Sequence, residues 1–270
     1  MNHWSIPLRG WDCHLAAGGR AASTRKLRAA HIRQLAATVA LEPVDVDEAA
    51  LERYLSRGDW APATRRSHRS SIVLFFAWAA RAGYIEADPA AELPAVLQPR
   101  ALPKPATEVA TAAAIRAHDP RTRLMAELMA LAGLRRDEVA RVRHDDVLDG
   151  IGGPRLRITG KGGHVRVVPI PGHVAAAIRK RGRGWTFAGQ IDGHLSARRV
   201  GELVGAALPD GVTAHALRHR YATAVYARTR DIRAVQTLLG HAKLDTTMVY
   251  VGVSDDATTT AAATAWEIAA

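Results

Sequence analysis

Tyr250 stands nine residues after His241 in the run LLGHAKLDTTMVYV, and the chain supplies companions for both. Arg135 lies upstream in AGLRRDEV, Lys161 in ITGKGGHVRVVPI, and His215 with Arg218 in TAHALRHRYAT. A tyrosine with several fixed cations and two or more imidazoles suits attack on a phosphodiester. The phenol is the nucleophile, and the cations neutralise the charge that builds on the oxygens around phosphorus. Taken singly, each residue has an ordinary reading. Arg135 opens a helix as a solvated side chain, and Lys161 solubilises a hairpin tip. His215 and Arg218 are an i, i+3 surface pair. His241, after Gly240, interacts with the carbonyl end of a helix. Tyr250, between Val249 and Val251, packs in a core.

The elements that must carry these residues fall into two blocks. Residues 1–98 read as all helix. Ser23 or Thr24 can cap TRKLRAAHIRQLAATVA, where Leu27, Ile32, Leu35 and Val39 recur at helical spacing. Asp45 or Asp47 can cap DEAALERYLSRG, which Gly58 ends. Pro62 and Gly83 bound a third helix with Ile72, Leu74, Phe75, Trp78 and Ala79 as its buried stripe. Pro89, Pro94, Pro99, Pro103 and Pro105 then forbid a continuous helix, and 99–105 reads as linker.

The block 106–270 begins with three helical stretches, TEVATAAAIRAHD, RTRLMAELMALAGL and RRDEVARVR. A hairpin follows, RLRIT and HVRVVPI joined by glycines that supply positive φ. Its apolar positions are expected at Leu156, Ile158, Val165 and Val167, alternating with Arg155, Arg157, His164 and Arg166. Helices resume in AHALRHRYATAVYA and DIRAVQTLLGH, and 255–270 reads as a short capped helix carrying Trp266 and Ile268. The expected fold is therefore mainly α with a small antiparallel hairpin or sheet: a helical domain followed by an α+β domain.

Composition narrows the partner. The 270 residues are 48% hydrophobic and 23% charged, enough to bury a core, with a formal net charge of +11. Residues 1–104 hold 14 Lys and Arg against 10 Asp and Glu, and 105–270 hold 23 against 16, so both blocks are basic. Such an excess favours a polyanion, most simply nucleic acid, and two basic blocks on a proline linker could close around a duplex. An Arg-rich soluble protein from a GC-rich genome would share this charge. Cys13 is the single cysteine, so no internal disulfide can form, and a cytoplasmic location in a bacterial cell is expected. Neither metal-ligand spacing, signal core nor membrane-length apolar run is present in the sequence, so no metal, cofactor or membrane partner is expected.

In combination, the order Arg, Lys, His-x-x-Arg, His, Tyr resembles the tyrosine recombinase (phage integrase) family. The phrases AGLRRDEV, ITGKGGHVRVVPI, AHALRHRYAT and LLGHAKLDTTMVYV carry the likeness over roughly 106–253. The resemblance implies a core-site DNA-binding domain in 1–98 of the helical, SAM-like kind, and a catalytic domain in 106–270. It implies that Tyr250 forms a 3′-phosphotyrosine bond and expels a 5′-hydroxyl. Arg135 and Arg218 would clamp the non-bridging oxygens, His241 would add a donor, Lys161 would protonate the leaving oxygen, and His215 would take the tyrosine's proton. Glu138, one turn after Arg135, would orient the site from behind. His219, about 100° around the helix from Arg218, is expected to stay off the His215–Arg218 face and to pack or touch DNA backbone. No metal or nucleotide is implied.

The implied partners are double-stranded crossover sites and, during synapsis, a homotetramer; a recombination directionality factor is a further candidate. The 255–270 helix would dock on a neighbouring subunit or cap its own core. About 20 residues precede the first expected helix, too few for an arm-site domain. A compact integrase that inserts and excises a phage or mobile element is therefore expected, with an Xer-type dimer resolvase as the alternative. Lys26, Arg33, Arg65, Arg66 and Arg69 are candidate DNA contacts in the first block, or simply a solvated face. A non-catalytic DNA-binding regulator and a type IB topoisomerase are the rivals from other classes.

Overall fold

Aromatic residues drive the first part of the chain together. A computed structural model describes residues 3–97, 104–160 and 163–240, and the chain divides into two units, Met1–Arg100 and Ala101–Ala270. In the first unit, α1 (Ser5–Ala17), α2 (Ala22–Val39), α3 (Glu48–Leu55) and α4 (Pro62–Arg81) pack around Trp11, Ile32, Leu35, Leu51, Ile72, Phe75 and Phe76. Asp47 caps α3 through Ala50 N–H at 2.7 Å, and Pro62 opens α4 where its missing N–H costs nothing.

Three expectations fail here. The stretch ahead of the first expected helix is itself a helix, α1, whose Leu8, Trp11 and Leu15 enter the core together with Trp4. Ser23 and Thr24 lie inside α2, which starts at Ala22 with no side-chain cap. Leu27 and Leu74 are exposed, because the partners of α2 and α4 meet Ile32 and Leu35 on one helix and Ile72, Phe75 and Phe76 on the other. Beyond α4, Ile85, Ala90 and Leu93 fold back onto the same core. Among the described residues no helix is long and apolar enough to cross a membrane.

The second unit is built on α6 (Pro120–Leu131), which packs against α5 (Glu108–Ile115), α9 (Ala197–Ala206) and α10 (Ala214–Thr229). Leu124, Met125, Leu128 and Met129 of α6 are buried. Asp119 caps this helix through the N–H groups of Arg121 and Thr122. The small sheet is antiparallel in the order β1 (Val147–Leu148), β2 (Arg155–Thr159), β3 (Val165–Pro169). The remaining elements are the one-and-a-half-turn α7 (Arg136–Ala140), α8 (Gly172–Arg179), β4 (Ala188–Ile191) and α11 (Ile232–Leu239). A mainly helical architecture with one small antiparallel sheet is thus the fold.

The phase of β3 reverses the expectation. Ile158 pairs with Arg166 and Leu156 with Val168, so Arg166 and Val168 face inward while Val165 and Val167 face solvent. A one-residue change of phase exchanges the two faces of a strand completely. Here it brings a guanidinium into the unit's interior.

Candidate active site

Glu138 is the only carboxylate among the described residues that three guanidiniums approach together, and the local fold explains why. It is the third residue of α7, and its Oε2 accepts the backbone N–H of Arg135 at 2.7 Å. This satisfies one of the amide groups that a helix start leaves unpaired. The same carboxylate accepts Arg135 Nη1 at 2.9 Å and both Arg166 terminal nitrogens at 2.8 Å, and Arg218 Nη1 lies 3.6 Å from Oε2.

Burying an ionised carboxylate is costly unless it is paired and hydrogen-bonded. Burial pushes the Glu138 pKa upward. The Arg166 hydrogen bonds and charge, the Arg135 N–H and the Arg218 charge outweigh that push and bring it down to about 2. Glu138 is therefore an anion at any ordinary pH.

The guanidiniums also converge on the end of α11. Arg166 Nε donates to the Leu238 carbonyl at 2.9 Å, Arg218 Nη2 to the Leu239 carbonyl at 2.8 Å, and Arg135 Nη1 reaches the same Leu239 oxygen at 3.5 Å. Arg218 also donates to the Gly133 carbonyl. Terminal carbonyls lack partners inside their helix and carry the negative end of its dipole, so cations are favoured there. Gly240, in the left-handed conformation at φ +63°, ends α11 at this point.

Arg218 is wholly buried, whereas the Arg135 side chain is 38% exposed. Three fixed guanidiniums and one carboxylate leave a local excess of positive charge with one edge open to solvent. Such an arrangement stabilises an anion whose charge grows during a reaction.

His215 lies on α10, one turn before Arg218. Desolvation by the surrounding protein, then His219, Arg218, Arg136 and Arg135, lower its pKa to about 4, so the imidazole is neutral near pH 7 and can accept a proton. His219 departs from expectation. Being four residues after His215, it comes back to the same side of the helix, and the two rings meet edge to face at 4.4 Å. Its pKa is also lowered, by desolvation and Arg218.

The structure thus brings Arg135, Glu138 and Arg218 into one cluster, with His215 in its electrostatic field. Lys161, His241, Tyr250 and the 255–270 helix lie outside the described residues, as does most of the 99–105 linker. Sequence reasoning missed Arg166. Its signal was the parity it shares with Val168 and Ile170, masked by the equally apolar Val165 and Val167. Arg220, two residues after Arg218, grips Glu108 with both oxygens engaged at 2.8–3.0 Å.

In the first unit, two of the five candidate DNA contacts bind their own backbone. Arg65 donates to the Arg57 carbonyl at 2.9 Å, and Arg69 to the Pro94 carbonyl at 2.6 Å and to Leu93. Lys26, Arg33 and Arg66 are exposed. Among the described residues no group of three metal-ligating side chains occurs.

Residues 103–256 match the model of the phage integrase family. Tyrosine recombinase XerC of Agrobacterium fabrum is 33% identical over 84% of this chain and 77% of its own length. The XerC of Nitrobacter winogradskyi is 39% identical over 48% of this chain, and the chain spans only 46% of that relative. Among solved structures, a lambda integrase dimer bound to a COC′ core site superposes with a TM-score of 0.71, covering 91% of this chain and 94% of that one at 19% identity. At that identity the likeness is one of fold.

Proposed function

The chain belongs to the phage integrase family of tyrosine recombinases, and from that premise we propose that it is a site-specific recombinase that cuts and rejoins duplex DNA through a 3′-phosphotyrosine intermediate. The observation that carries this reading is the convergence of Arg135, Arg166 and Arg218 on Glu138 and the end of α11, with a neutral His215 in the same field. In this reading Tyr250 attacks the scissile phosphorus, a P–O bond to the tyrosine forms, and the bond to the 5′-oxygen breaks. His215 takes the phenolic proton, and Lys161 delivers one to the departing 5′-oxygen. Arg135, Arg218 and His241 hold the non-bridging oxygens, where charge increases toward the transition state; donors that strengthen there accelerate the step rather than merely bind. A 5′-hydroxyl from a partner duplex reverses the sequence and joins the new strand.

The partners in this proposal are double-stranded crossover sites held by the two basic units, with 1–98 binding the core site and four copies meeting in synapsis. A directionality factor would belong to the integrase version. The work would take place in the cytoplasm of a bacterial cell. The XerC names of the relatives favour dimer resolution over insertion of a phage or mobile element. A supercoiled plasmid with two directly repeated sites, set against two separate molecules with one site each, separates the two. Excision into two circles without joining of separate molecules supports the Xer-type reading, and efficient joining of separate molecules supports integration.

The chemistry itself is tested on a nicked duplex that traps the cleaved strand. The wild-type chain should accumulate an SDS-resistant adduct, and Arg218→Ala should lose it by ~10²–10³-fold, the scale for removing one preorganised donor. Tight site binding without any adduct would favour the regulatory DNA-binder instead.

A further inference from the structure

We propose that Arg166 is a positioning residue for strand cleavage: by neutralising Glu138 it leaves the charges of Arg135 and Arg218 for the phosphate. The inference rests on the recombinase reading and assigns Arg166 a part in cleavage that this reading leaves without a role.

The geometry is specific. Arg166 sits opposite Ile158 in the β2–β3 register, so its side chain enters the interior. It is 11% exposed and Glu138 2%. Its two terminal nitrogens meet the two carboxylate oxygens, both at 2.8 Å, while Nε holds the Leu238 carbonyl at 2.9 Å. Only a planar fork can make these three bonds at once; a lysine offers one point charge.

Charge accounting gives the consequence. Glu138 carries one negative charge and is within 3.6 Å of Arg135 and Arg218 nitrogens. Were those its only partners, the carboxylate would offset half of their combined charge and draw both guanidiniums toward itself. With Arg166 in place the Glu138–Arg166 pair is neutral, and the other two retain their full charge toward an incoming phosphodiester. The same side chain ties β3 to the last turn of α11. In sequence, Lys161 falls between β2 and β3, and His241 follows the last residue of α11 by two positions, so Arg166 ties together the two described segments that flank these candidates in sequence.

The test compares the full-length wild type with Arg166→Lys, Arg166→Gln and the double variant Arg166→Gln/Glu138→Gln. The substrate is a nicked duplex bearing the sequence recovered from wild-type adducts on sheared genomic DNA of the source organism. Single-site binding and the rate of adduct formation are read separately, with circular dichroism to establish folding. Arg166→Gln should bind within a few-fold of wild type yet cleave ~10–100-fold more slowly, the scale for outer partners that orient a functional group. Arg166→Lys should fall between. The double variant should cleave faster than Arg166→Gln alone, because it removes the uncompensated carboxylate. Thermal stability and site binding are read beside the rate, because removing both charges also relieves a structural defect; recovery of cleavage between variants of equal stability and binding reports the charge effect. Cleavage by folded Arg166→Gln at the wild-type rate, or no recovery in the double variant, would overturn the role of Arg166 alone. Absence of an adduct from the wild-type chain would overturn the recombinase reading, and this role with it.

Discussion

Gly240 lies directly against Arg166: a Cβ built on the glycine would stand 2.9 Å from the arginine's Cδ and 3.0 Å from its Nη1. The glycine is needed twice over, since its φ of +63° also falls where L side chains are strained. The helix end and the guanidinium that grips its Leu238 carbonyl are fitted to each other.

Gly240→Ala should therefore act through Arg166. A loss of ~1–3 kcal/mol is expected from left-handed strain and displacement of the guanidinium. Urea denaturation reads the stability, and adduct formation should slow in parallel. An alanine variant as stable and as fast as the wild type would show that this contact matters little.

Glu138→Ala removes the one counter-charge among three buried or half-buried guanidiniums and opens the start of α7. Breaking a buried pair from one side costs ~3–5 kcal/mol. The variant should lose stability on that scale, and the isosteric Glu138→Gln less. Thermal denaturation of both checks the order, and equal losses would point to shape rather than charge.

Acid should loosen the first unit, and His215 and His219 place the second in the same window. His31 and His68 are buried with ring centroids 3.9 Å apart. His31 Nδ1 bonds Ser71 at 2.8 Å, and His68 Nδ1 bonds Tyr54 at 3.0 Å. Desolvation and the Arg28 charge lower the His31 pKa; desolvation, His31 and Arg57 lower that of His68 to about 4. Groups depressed from 6.5 favour the folded state fully above that value, and the benefit is lost as pH falls from about 6.5 toward 4. For His68 alone this amounts to about 2 kcal/mol at pH 5. Glu138 contributes in a lower window, losing its benefit only between about 4.5 and 2. Trp60, 4.1 Å from the His68 ring, makes tryptophan fluorescence the natural probe. Unfolding midpoints that do not change between pH 7.5 and 5 would contradict the assignment, as would a His68→Gln variant with an undiminished pH response.

Much of this arrangement could be read from the sequence where one signal dominated. Pro62 and Gly83 mark helix ends because their backbone chemistry leaves few alternatives, Asp47 proves to be the cap of α3 from the pair Asp45 and Asp47, and RLRIT announces β2 by strict alternation. Where two signals competed, the reading failed. In HVRVVPI both parities are apolar, so the phase of β3, and with it Arg166, was hidden. Trp4, just ahead of α1, and Leu8, Trp11 and Leu15 within it are spaced as one helical face, but Pro7 and Gly10 are poor helix formers. His219 shares its face with His215, one turn back, and this spacing outweighs the rotation from its neighbour Arg218. Arg135 and Arg218 are legible by their chemistry, and the fold joins them through Glu138 and the Leu239 carbonyl, the latter 104 residues after Arg135, a relationship that no local pattern contains.

The claim at the centre of the account is that the Tyr250 phenol carries the cleaved strand. The direct measurement traps the adduct on a nicked duplex, digests it with protease and nuclease, and locates the nucleotide-bearing peptide by mass spectrometry. The account predicts a phosphodiester on Tyr250, and a Tyr250→Phe variant that binds the same duplex with near-unchanged affinity but forms no adduct. An adduct in that variant, or one mapped to another residue of the wild-type chain, would contradict it.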